Sequence, residues 1–183
     1  MSVLLRRLTI STIAVAALLA IGPLTALGAL SASVADVAFG QVAYSHAQQI
    51  QMGTLTLTAS DTGLLGTNSG WNVTLRSSAF VYSGPNSGTA IPAANLAITT
   101  SQPPTWISGQ AISATGGPRT TNATGALNVA RKTIQADGPG GILGPYYGIG
   151  TYRQLVDVSL LVPGQTRAGT YTATLTVTIA TGP

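Results

Sequence analysis

The sequence predicts an all-β protein: an antiparallel β-sandwich preceded by an N-terminal signal helix. Three observations carry this. Residues 171–179, within "GTYTATLTVTIATGP", alternate strictly between apolar Tyr171, Ala173, Leu175, Val177 and Ile179 and the threonines between them. A period of two places these two sets on opposite faces of a strand. Similar short runs recur along the chain between clusters of Gly, Pro, Asn and Ser, as a sandwich or barrel requires. No segment past residue 35 shows a helical period.

The first element is an export signal. Arg6 and Arg7 open an apolar run from Leu8 to about Leu30, and the small residues Ser33, Val34 and Ala35 offer a cleavage site before Asp36. The division is therefore residues 1–35 as signal peptide and 36–183 as one domain. A span needs about 20 apolar residues, so an uncleaved segment is long enough to anchor the chain in a membrane. Removing it takes two arginines, and the formal charge falls from +4 to +2. The remaining charges are scattered, with no basic stripe for nucleic acid. Cysteine is absent, so no disulfide frames the fold, and only 7% of residues are charged.

After the signal, residues 37–51 fit either a helical turn or an edge strand. "GTLTLTAS" (53–60) turns Leu55, Leu57 and Ala59 to one face, and "GWNVTLRSSAFVY" (70–82) does the same with Trp71, Val73 and Leu75. Further strands are expected at 95–100, weakly at 126–130, at 132–136 and at 154–162. The stretches 83–88, 100–110, 114–125 and 137–150 read as turns and long loops. Residues 162–171 read as a tight connection that makes the last two strands a hairpin, whose apolar face must bury against a second sheet. The expected core is Trp71, Leu55, Leu57, Val158, Leu160, Leu175, Val177 and Ile179. About seven to nine such strands form an immunoglobulin-like sandwich.

The succession "GWNVTL", "IPAANLAIT", "TIQADGPGGILGPYYGIGTYRQLVDVSLLVP" and "RAGTYTATLTVTIATGP" resembles the WxL domain of Gram-positive cell-surface proteins, from about Gly53 to Pro183. The family is named for two Trp-x-Leu motifs, one early and one in the terminal strand. The early motif reads Trp71-Asn72-Val73 here, and the terminal one reads Leu175-Thr176-Val177, with valine in place of the family's tryptophan. The resemblance implies a secreted protein of the cell surface or cell wall, held non-covalently to peptidoglycan or another wall glycan.

Side-chain chemistry points to binding and away from catalysis. His46 is the only histidine, Glu is absent, and the four aspartates fall in separate segments, so no catalytic residue, metal site or cofactor is assigned. Aromatic rings in loops suit stacking on sugars. Trp106 and the group Tyr146, Tyr147 and Tyr152 are the contact candidates for glycan or partner, while Trp71 opens a strand and reads as core. A second hypothesis is a structural surface protein that assembles with itself or with other surface proteins through sheet edges.

Overall fold

The computed structural model describes residues 7–8, 30–63, 69–139 and 144–183. Apart from residues 7–8, the expected signal helix up to residue 29 lies outside them. The described chain is all-β and antiparallel, with one short 3-10 turn at Ala93–Asn95. Among the described residues no helix is long and apolar enough to cross a membrane.

The strands in chain order are β1 (Arg7–Leu8), β2 (Leu30–Val34), β3 (Val42–Ala43), β4 (Gln49–Asp61), β5 (Trp71–Ser77), β6 (Val81–Ser83), β7 (Leu96–Ser101) and β8 (Thr105–Gly109). They continue as β9 (Arg119–Thr120), β10 (Gly125–Ala126), β11 (Arg131–Ala136), β12 (Gly150–Val162), β13 (Thr170–Thr172) and β14 (Leu175–Thr181). The larger sheet runs β10-β7-β12-β4-β2, with β8 also paired to β12 beyond the end of β7. The smaller sheet runs β14-β5-β11-β9, and the short pairs β1-β3 and β13-β6 complete the set.

The long antiparallel pair of β4 and β12 is the backbone of the larger sheet, in unbroken register from Gly150 opposite Asp61 to Val162 opposite Gln49. Alternation in both strands sends Leu55, Leu57 and Ala59 inward beside Tyr152, Val156, Val158 and Leu160. β5 and β14 supply Trp71, Val73, Leu75, Leu175 and Val177 to the same core from the smaller sheet. All eight expected core residues contribute, with Ile179 only partly buried near the end of β14. A buried amide ties the layers: Gln154 Nε2 donates to the carbonyls of Thr133 at 2.9 Å and Gln102 at 3.0 Å. A hydrogen bond inside a low-dielectric core is strong, so this amide links β12 to β11 across the two layers.

Several expectations need correction. β12 and β14 are not a hairpin, because β12 belongs to the larger sheet and β14 to the smaller one. The connection first forms β13, which pairs with β6, so residues 163–169 carry the chain across the core instead of folding it back. The stretches 100–110 and 114–125, read as loops, hold β8, β9 and the first residue of β10, which were missed because these segments lack apolar alternation, and the strand expected at 126–130 is reduced to Gly125–Ala126, with a turn after it. Of residues 37–51 none is helical: Val37, Phe39 and Val42 are buried, Val42–Ala43 pair with β1, and Gln49–Gln51 begin β4 where it pairs with β12 alone.

Candidate functional site

The ends of β4 and β8 and the start of β12 meet at one end of the larger sheet. They enclose a cleft of about 540 Å³ lined by Ser60, Asp61, Ser108, Gln110, Thr151 and neighbouring backbone. Register explains the gathering. Gly150 stands opposite both Asp61 and Gly109, and Thr151 stands opposite both Ser60 and Ser108. The hydroxyls of Ser60 and Thr151 bond each other at 3.1 Å. Two glycines permit the close approach: at φ +85° and +143°, Gly109 and Gly150 occupy backbone regions that side chains disfavour. A Cβ on Gly109 would come within 2.5 Å of the Gly150 Cα.

Trp106 stands beside this cleft. It is 54% exposed, and its indole N–H donates to the carbonyl of Gly109, a lining residue, at 3.2 Å. The ring is thereby tethered while its face remains open to solvent.

The three tyrosines proposed as contacts part company. Tyr152 is fully buried, which corrects its assignment as a surface contact. Its ring lies 6.1 Å from that of Trp71, centroid to centroid, and its hydroxyl donates to the carbonyls of Gln110 at 2.6 Å and Ile149 at 3.3 Å. Alternation in β12 turned it inward, since Thr151 and Arg153 take the outer face. Burial, with a smaller contribution from the charge of Asp61, pushes its hydroxyl up to about 12. Tyr152 is thus a floor under the cleft's backbone. Tyr146 is half-buried and connects to the cleft through its carbonyl, which accepts from Gln110 Nε2 at 2.6 Å. Tyr147 is half-buried with its ring over Gly116, where an added Cβ would lie 2.1 Å from the ring.

Gln110 and Asp61 are the polar residues that sequence reading missed. Gln110 holds the 144–149 loop from both ends of its amide, donating to Tyr146 and accepting from the Ile149 N–H at 3.3 Å. Asp61 is 4% exposed, and its Oδ1 accepts from the Gly63 N–H at 2.8 Å, the local bond of an Asx turn. "SDTG" signals that turn in the sequence, but nothing local signals that β8 and β12 converge on it.

The two motif segments are brought together elsewhere. β5 and β14 are neighbours, with Trp71 opposite Thr181, Asn72 opposite Ala180, Val73 opposite Ile179 and Leu75 opposite Val177. Asn72 Nδ2 donates to the Gly182 carbonyl at 2.7 Å, and the Gly182 N–H donates to the Gly70 carbonyl at 2.9 Å, closing the end of the pair. Trp71, Val73 and Leu175 are fully buried and Val177 nearly so, while Asn72 is half-buried and Thr176 exposed. The motif positions therefore build core and offer only Thr176 and part of Asn72 to solvent. Among the described residues no group of three or more His, Cys, Asp or Glu could hold a metal.

No family model, curated protein or solved structure matches the chain.

Proposed function

We propose that this is a secreted, non-catalytic protein of the cell surface that holds non-covalently to a cell-wall glycan, peptidoglycan being the first candidate. The observation that carries the reading is Trp106, an exposed indole tethered through its N–H to Gly109 at the cleft, beside the hydroxyls of Ser60, Ser108 and Thr151. An aromatic face stacks on the C–H surface of a sugar while hydroxyl and amide groups take its hydroxyls. Among the described residues no Lys or Arg lines the cleft, so it offers no cationic side chain to a polyanion. The apolar leader of residues 8–30 and the WxL resemblance support a wall location. Two antiparallel sheets over one core support an immunoglobulin-like arrangement, the finer fold assignment we favour.

The test is co-sedimentation of the purified protein with insoluble peptidoglycan, competed by soluble glycan fragments. Trp106→Ala should reduce retention at least about tenfold, roughly 1.4 kcal/mol, with an unchanged melting temperature. Equal retention of the variant and the parent would sink the assignment of Trp106.

A further inference from the structure

We infer that the groove between β4 and β14 is a strand-acceptor site, and that residues 30–34 are the strand it takes. Leu30–Val34 pair antiparallel with Asp61–Leu57 along the outer edge of β4. The ladder continues one step further, where the Ala35 N–H donates to the Thr56 carbonyl at 3.0 Å. β14, at the edge of the other sheet, lies against the same strand. β2 thus closes the side of the sandwich where the two sheets part.

Its side chains fit that role. Val34 is 7% exposed, and Leu30 and Ala32 pack on the core, while Ser31 and Ser33 face outward. An open edge above an apolar floor is what strand addition recognises: main-chain hydrogen bonds supply affinity, and pockets for alternate side chains supply selectivity. The acceptor takes an extended peptide, antiparallel to β4, with apolar residues at every second position. The natural occupant comes from the same chain. Gly53 of β4 leaves room for the connecting segment, since a Cβ there would lie 3.0 Å from Val37 and 3.1 Å from Phe39. Those two buried side chains hold residues 37–39 against β4, so β2 reaches its edge from the same chain.

The small-residue run Ser33-Val34-Ala35, where the sequence places signal cleavage, therefore lies in the edge strand itself. Processing that leaves residues 30–34 attached gives a closed sandwich. Processing after Ala35 gives a chain with an empty acceptor, open to the same sequence in trans.

The experiment uses the full chain with a protease recognition sequence inserted between Ala35 and Asp36, cut after folding. The released segment should co-elute with the body, and a labelled peptide of residues 30–35 should exchange into the cut protein. The same peptide carrying Val34→Asp should bind at least about tenfold more weakly. A body that stays folded, loses the segment and ignores the peptide would overturn the inference. Hydrogen exchange on the uncut protein decides the matter if cutting unfolds the body. Protected amides within residues 31–35 are expected, and exchange at the rate of a free chain there would refute the site.

Discussion

The indole N–H of Trp71 donates to the carbonyl oxygen of Gly148 at 2.9 Å, joining the first residue of β5 to the loop that leads into β12. Both residues are buried. Trp71→Ala should destabilise the domain by about 3–5 kcal/mol, the range for deleting a large buried aromatic. Trp71→Phe keeps most of the apolar volume but leaves the carbonyl unpaired, at about 1–3 kcal/mol. Urea denaturation of both variants measures the two costs, and near-equality would show that the hydrogen bond contributes little.

Gly148 itself is more constrained. Its φ is +78°, and a Cβ would sit 2.5 Å from the Ala136 Cβ and 2.7 Å from Trp71 Nε1. Gly148→Ala therefore combines backbone strain with overpacking and should cost at least about 1–3 kcal/mol. Gly182→Ala is the control, because its φ of +89° carries the strain but nothing lies within 4 Å of an added Cβ. Comparing their melting temperatures separates the two effects.

Tyr152 makes stability depend on alkaline pH. Its hydroxyl is raised from 10.0 to about 12 in the folded protein, first by burial and then by Asp61. The folded state therefore keeps a proton that the unfolded chain releases above pH 10. That contribution is fully present below pH 10 and is lost as pH rises toward 12. Tyr171, raised mainly by burial, acts with the same sign. Tyr152→Phe should be less stable near neutrality, having lost a hydroxyl proton shared between the Gln110 and Ile149 carbonyls, yet show a shallower fall in melting temperature above pH 10. An unchanged alkaline slope would show that Tyr152 does not titrate in this window.

The terminal strand is an edge, yet its inward face is core. Val177, at 7% exposure, stands opposite Leu75, so Val177→Trp should cost roughly 1–3 kcal/mol through overpacking. Tolerance of the indole together with stronger wall binding would place that side chain at a surface. Deleting residues 171–183 removes β13 and β14, bares the edge of β5 and opens the core. The truncated chain should be insoluble on expression, and soluble monomer on gel filtration would contradict the role given to β14.

The long alternating strands, and which of their faces is apolar, were legible in the sequence, while short strands without alternation such as β8 and β9 were not. The alternations at 53–60, 71–75 and 171–179 are local patterns, and the pleat turns a period of two directly into an inside and an outside. It also marked Trp71 as core and Trp106 as exposed. Tertiary structure decided the partners. Trp71 meets Thr181 and Leu57 meets Gln154 across spans of chain that no local pattern encodes. The hairpin expected of β12 and β14 failed for this reason: alternation gives a strand's face but not the sheet it joins. Tyr152 looked exposed beside a glycine-rich loop, and the register of β12 against β4 turned it inward. β8 and the cleft carried no periodic signal, because they exist where backbone from three distant segments converges at Gly109 and Gly150.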